Sequence, residues 1–312
     1  MRYGVYLMND RPHLASCSLF GSTKPNAVER RILDTMTPGH ELRRPAFWKA
    51  GVLLASPHSG NLYPSDFQDA SVLSLSHLRR NEDLFVDQLI GGCLDAGAPL
   101  LKALFPRCYV DVNRNPDELP PAWSDHPIKE TPRAKAGIGV VPTHIGERMP
   151  IYRKNPKKAD AQARLAELYH PYHAALSGLI EESKARFGQA LLLDCHSMPG
   201  FAPMGSRRPD IVLGDRFGKA CHSETLSTLR TLMQEAGFSV AVNYPYAGGY
   251  VTEHYGKPDE AVEVIQIEIN RDLYVNPVTL KPKNGFQNIA DRLSFVVRNM
   301  IDARMLDALA AQ

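Results

Sequence analysis

No charge of one sign dominates this chain. Its 36 Lys and Arg against 34 Asp and Glu leave a formal net charge of +2 over 312 residues, which removes the electrostatic case for nucleic acid or an acidic membrane surface as partner. No stretch approaches the roughly 20 apolar residues of a membrane span. Cysteine is sparse and unpatterned: Cys17, Cys93, Cys108, Cys195 and Cys221 are odd in number and lack CxxC spacing, so they read as reduced thiols in a cytosolic protein. Asp10, Pro12 and His13 interrupt the N-terminal stretch, which therefore has no apolar run of a secretory signal. Internal repeats and low-complexity tracts are also missing, and no GxSxG elbow supports a serine hydrolase acting through Ser197.

What is present is the composition of an ordinary soluble protein, 44% hydrophobic and 22% charged. A small molecule is the default partner. Residues 1–47, cut by Pro25, Pro38 and Pro45, read as an N-terminal arm with one short helix around Val28 to Met36, lying over the core. Residues 48–312 read as a single α/β domain.

Along that domain, strands keep ending in polar residues. Residues 50–56 form an apolar strand that stops at Pro57-His58-Ser59-Gly60. A helix is expected over Leu75 to Leu94, whose spacing puts Asp83 and Asp87 on one face; a solvated face paired with Arg79 or Arg80 explains them equally well. A strand over about Arg107 to Val112 runs into Asp111-Val112-Asn113-Arg114. The Pro- and Gly-rich stretch 117–150 is long enough to be a binding loop or lid. A long helix follows over about 158–187, with a kink at Pro171 and a stop at Gly188. Directly after it Leu191-Leu192-Leu193 leads into Asp194-Cys195-His196-Ser197 and is broken by Pro199. This helix-to-strand step builds three-layer α/β/α folds. Further elements are a strand at 211–213, a helix over 218–236, a strand at 238–243, a loop at 248–252 and a C-terminal helix over 285–309. In the strand 262–270, Ile265, Ile267 and Ile269 share one side and Glu268 projects from the other.

These strand-end groups meet if their strands are parallel neighbours, because ligand crevices of open α/β sheets lie at the carboxyl ends of strands. Two neutral imidazoles and a carboxylate make the protein part of a catalytic zinc site. His58 and His196 supply the imidazoles, with Asp83 as the chosen carboxylate and Asp87, one turn later, as the alternative. Glu268 suits the general base, and Asn113 with Arg114 suits a substrate carboxylate. A buried glutamate can instead be a salt-bridge partner, and His144, His170 and His173 read as structural. Asp194 reads as support for His196 rather than as a ligand. Arg80 or Arg208 is the cation expected for a second substrate carboxylate.

Taken together, Ser56-Pro57-His58-Ser59-Gly60, Glu82-Asp83-Leu84-Phe85-Val86-Asp87, Asp111-Val112-Asn113-Arg114, Asp194-Cys195-His196-Ser197 and Gly248-Gly249-Tyr250-Val251-Thr252 with His254-Tyr255-Gly256 resemble the N-formylglutamate amidohydrolase family over residues 50–275. The resemblance implies a fold like that of zinc carboxypeptidases and aspartoacylases, a central mixed, mostly parallel sheet between helical layers, with one active-site zinc. By position it implies that His58 and His196 are metal ligands, Asn113-Arg114 the carboxylate-binding pair and Glu268 the base. The chain departs from the HxxE signature of the wider superfamily, since Asn61 stands three residues after His58. The implied reaction is hydrolysis of an N-acyl amino acid, N-formyl-L-glutamate first. A deacylase of different substrate and a non-catalytic metabolite-binding protein are the alternatives. Tyr250, Thr252 and His254 are expected to line the substrate pocket.

Overall fold

A computed structural model describes residues 38–120, 123, 131–146, 149–202 and 204–310, the last four of these without their side chains. The helix expected at 28–36 lies outside the described residues. The strands in chain order are β1 His40–Arg43, β2 Val52–Ser56, β3 Leu100–Ala103, β4 His144–Ile145, β5 Met149–Pro150, β6 Ala190–Met198, β7 Ile211–Gly214, β8 Val240–Val242 and β9 Val262–Asn270. Seven of them form one sheet in the order β1-β3-β2-β6-β9-β7-β8, and β4 pairs with β5 in a separate hairpin. Strands β3, β2, β6 and β9 run parallel; β1 is antiparallel to β3, β7 is antiparallel to β9, and β8 is parallel to β7.

Strand β2 and the first half of β6 are continuous apolar runs because helices cover both faces of the sheet. Alternate residues go to opposite cores. Leu53, Ala55, Leu192 and Val264 face Leu168, Tyr172, Leu176 and Leu179 of the long helical stretch. Val52, Leu54, Leu191, Leu193, Ile265, Ile267 and Ile269 face Leu229 and Met233 of the helix Ser223–Glu235 and Leu293, Val296 and Met300 of the helix Phe286–Ala310. Each such side chain contributes about 1.5–3 kcal/mol by leaving water. The expected three-layer α/β/α arrangement is therefore present, and Glu268 lies on the face opposite the three isoleucines. No helix among the described residues is long and apolar enough to cross a membrane.

Several expected elements are corrected. Residues 107–112 are not a strand: the Pro106 carbonyl accepts from the Tyr109 and Val110 amides at 2.9 and 3.3 Å, closing a turn, and the strand lies earlier at Leu100–Ala103. Tyr109, Val110 and Val112 looked strand-like because they are buried, not because they pair. The helix expected over 75–94 is three short pieces, Leu75–Arg79, Val86–Leu89 and Cys93–Ala96. Between the first two, Asp83 N–H donates to the His58 carbonyl at 2.9 Å and Phe85 takes a left-handed φ of 60°, so Asp83 and Asp87 do not share a helical face.

The kink expected at Pro171 takes another form. A π-helical turn, Leu165–Tyr169, joins the helix Lys158–Arg164 to His170–Phe187, so that Pro171 stands in the first turn of the second helix, where its missing N–H costs least. Gly188, at φ 73°, ends the helix as expected. Residues Tyr250–Tyr255 are helical rather than a loop. Residues 40–43, inside the stretch read as an arm, pair with β3 and belong to the sheet.

Candidate active site

Strands β2, β6 and β9 are adjacent and parallel, so their carboxyl ends open on one rim. Strand β6 runs on through Met198, and its two-residue period places Asp194 and His196 on one face, with His196 directly beside Glu268 of β9 in register. His58 lies two residues past the end of β2. Its loop is pinned from below: Ser59 Oγ donates to the Asp83 carbonyl at 3.1 Å and accepts from the Asp87 amide at 3.1 Å. Gly60 must be glycine, since a Cβ there would come within 2.2 Å of the Phe105 carbonyl oxygen.

Three acceptor atoms converge above this rim. His58 Nδ1 and His196 Nδ1 are 3.1 Å apart, and Asp83 Oδ2 is 3.3 Å from the first and 3.1 Å from the second. All three side chains are buried. Each imidazole commits its other nitrogen to a carboxylate: His58 Nε2 to Asp111 Oδ1 at 2.7 Å and His196 Nε2 to Asp194 Oδ2 at 2.9 Å. Those partners make Nε2 the donor in both rings and aim both Nδ1 lone pairs at the Asp83 oxygen. Three lone pairs pointed at one another demand a positive charge between them. The separations match the edges of a tetrahedron with bonds of about 2.0–2.1 Å, roughly 3.3–3.4 Å. The donor set therefore fits a metal ion.

The electrostatics agree with that reading. Burial alone raises the Asp83 carboxyl, but the neighbouring His196 and His58, with the charge of Arg271, hold it well below the usual carboxylate range. Asp111, likewise pushed up by burial, is held far down by Arg107, His58 and Arg114. In the absence of metal, burial lowers His196, and Asp194 and Asp83 outweigh it, so the imidazole takes a proton well above the ordinary histidine range. Burial pushes Glu268 up to about 7, with the His196 charge opposing and Asp83 reinforcing.

Of the remaining expected residues, Asp87 is elsewhere, ion-paired with Lys102 at 3.1 Å. Asn113 is buried and occupied: Oδ1 accepts from the Val251 amide at 2.8 Å, and Nδ2 lies 3.1 Å from His196 Nε2 and 3.4 Å from Gln266 Oε1. Arg114 donates to the Ile138 and Asn113 carbonyls, at 3.3 and 3.2 Å, and lies 4.0 Å from Asp111 Oδ2. Tyr250 bonds His254 Nδ1 at 3.3 Å on a partly exposed wall, whereas Thr252 is fully buried and lines no open surface. Arg80 is exposed, and Arg208 donates to the Pro199 carbonyl at 3.2 Å and the Tyr246 hydroxyl at 2.9 Å, just past β6. His173 is held between Tyr255 and the Val112 carbonyl, a structural place.

Four participants carried no expected role. Asp111 braces His58, Arg107 donates to Asp111 Oδ2 at 2.8 Å, Arg271 donates to Asp83 Oδ1 at 2.9 Å, and Gln266 donates to Glu268 Oε1 at 2.9 Å. Gln266 sits two residues before Glu268, so the strand period already placed the two side by side.

Fold and site together define a three-layer α/β protein in which two histidines and one aspartate, placed so that they could hold a metal ion, stand beside a buried glutamate. The chain belongs to the N-formylglutamate amidohydrolase family, whose model matches residues 50–275. It is 29% identical over 258 residues to an N-formylglutamate deformylase of Pseudomonas aeruginosa, covering 81% of this chain and 91% of that one. To the N-formylglutamate deformylase of Pseudomonas putida it is 26% identical over 276 residues, 87% and 96% of the two chains. The crystal structure of N-formylglutamate amidohydrolase from Ralstonia eutropha superposes with a TM-score of 0.81 at 32% identity, covering 86% of this chain and 99% of that one.

Proposed function

We propose that this protein hydrolyses N-formyl-L-glutamate to formate and L-glutamate, using one zinc ion held by His58 Nδ1, Asp83 Oδ2 and His196 Nδ1. The observation that carries the reading is the convergence of three buried acceptor atoms, within 3.1–3.3 Å of one another, beside a glutamate raised to about 7. Bound there, zinc supplies Lewis acidity toward the formyl carbonyl and acidifies the attacking water. The residues of the chain do the rest.

Glu268 takes the proton from the water. Its Oε1 is held by Gln266 Nε2 at 2.9 Å, which leaves the other oxygen to receive it. A carboxyl that titrates near neutrality accepts a proton from water and returns it to the departing nitrogen within one turnover. The water oxygen ends in formate, the C–N bond breaks, and the proton leaves with the amine of glutamate. Arg114 supplies the positive charge for one substrate carboxylate, while Asn113 fixes the wall beside it by holding the start of the helix Tyr250–Tyr255. Arg208 serves the second carboxylate better than Arg80, because its anchoring to Pro199 and Tyr246 places it at the ends of the central strands.

The whole reaction is assigned to one domain, residues 48–312 with β1 added to its sheet. A cytoplasmic setting suits it, since the described cysteines, Cys93, Cys108, Cys195 and Cys221, are buried free thiols. The test is formate release from N-formyl-L-glutamate beside a panel of N-acetyl and N-succinyl amino acids. Highest kcat/KM for the formyl substrate is expected. Zinc-replete protein that binds these compounds without turning any over contradicts the proposal.

A further inference from the structure

Arg271 opens the 3-10 turn Arg271–Leu273 after β9, three residues beyond Glu268. It folds back over the ends of β6 and β9 and spends every nitrogen there. Its Nη2 donates to Asp83 Oδ1 at 2.9 Å, its Nε to Ser197 Oγ at 2.8 Å and its Nη1 to the Arg80 carbonyl at 3.0 Å. Ser197 Oγ, having accepted from Arg271, donates its own proton to the same Asp83 Oδ1 at 2.9 Å.

The two oxygens of Asp83 are thus treated differently. Oδ1 receives two hydrogen bonds, one of them charge-assisted, and Oδ2 is left to the two imidazole nitrogens. We infer that Arg271, acting with Ser197, is a positioning residue that restricts Asp83 to a one-oxygen metal ligand and so keeps the opposite side of the centre open for water and substrate. The inference rests on the metal reading of His58, Asp83 and His196. The bond from Nη1 to the Arg80 carbonyl fixes that loop three residues before Asp83, and the guanidinium fork fixes the carboxylate itself.

The experiment uses metal-free full-length protein, with Zn²⁺ affinity measured by competition with a chromophoric chelator and the visible spectrum recorded after loading with Co²⁺. Wild type is expected to bind one Zn²⁺ per chain and to give the intense cobalt bands of a four-coordinate centre. Arg271→Met is expected to bind Zn²⁺ about 10- to 100-fold more weakly, the range for loss of a group that orients a ligand. Its cobalt bands are expected to weaken as the freed Oδ1 enters the coordination sphere. Arg271→Lys keeps the charge but not the fork, is expected to fall between the two, and preserves the test if the methionine variant does not fold. Zinc affinity within twofold of wild type in folded Arg271→Lys or Arg271→Met, or an unchanged cobalt spectrum, overturns the inference. If wild type itself binds no Zn²⁺, or His58→Ala binds it as well as wild type, the metal reading beneath it fails instead.

Discussion

Replacing Glu268 with glutamine removes the proposed base and almost nothing else. Gln266 Oε1 accepts from the Gly249 amide at 2.7 Å, so its amide group is oriented and its Nε2 points at Glu268. A glutamine at 268 offers its own carbonyl oxygen to that donor and turns its NH₂ toward the place where the proton must be accepted. The hydrogen bond and packing survive; the acceptor is lost. General-base loss costs about 10²–10⁴ in rate, or about 2.7–5.5 kcal/mol in the barrier.

Zinc stoichiometry should not change, because Glu268 is outside the triangle of ligand atoms. The metal-free variant should also be the more stable one above neutrality. A carboxyl displaced from 4.5 to about 7 in the fold, at about 1.4 kcal/mol per pH unit, costs on the order of 3 kcal/mol. That cost sets in as pH rises from 4.5 to about 7 and is complete above it. The assay is kcat for formate release at pH 8 with zinc content and urea unfolding measured on the same samples. Turnover of Glu268→Gln within tenfold of wild type, with zinc bound, would refute the assignment.

Four further outcomes follow from the same geometry. Zinc affinity should tighten about tenfold from pH 5.5 to 6.5, because metal must displace the proton that Asp194 and Asp83 hold on His196 above its ordinary value; chelator competition at the two pH values checks this. The same proton stabilises the metal-free fold at low pH, and that contribution is lost as pH rises through the raised His196 value. Asp83→Asn should abolish zinc binding, whereas Asp87→Asn should leave it intact, since Asp87 answers only to Lys102 and the Ser59 loop; elemental analysis of both variants decides. Arg114→Ala should raise KM for N-formyl-L-glutamate more than it lowers kcat, as expected for loss of a binding charge, and steady-state kinetics would show the reverse if Arg114 acted in the chemical step.

Much of the fold was legible because both faces of the sheet are buried. The apolar runs at 50–56 and 190–193 and the alternating stretch 262–270 read as central strands, and the polar residues at their ends marked the rim. The two-residue period of β9 separated Glu268 from the isoleucines without any structure. What misled was burial without pairing. Tyr109, Val110 and Val112 fill a core from an irregular segment, and Leu84, Val86 and Leu89 do the same beside a broken helix. Helical spacing then put Asp83 and Asp87 on one face, although the bond from Asp83 N–H to the His58 carbonyl breaks the helix between them. Two supports of the site, Asp111 and Arg271, were out of reach for a different reason. Their meaning lies in partners 53 and 188 positions away, and no local pattern encodes such distances, whereas Arg107 and Gln266 act on partners four and two residues away.

The central claim is that a single zinc ion, held by His58, Asp83 and His196, is required for deformylation. Metal content and formate release measured on the same protein, before dialysis against a chelator, after it, and after zinc is restored, test it most directly. One zinc per chain, loss of formate release in step with loss of zinc, and recovery of both together are expected. Undiminished release of formate by metal-free protein would contradict the claim.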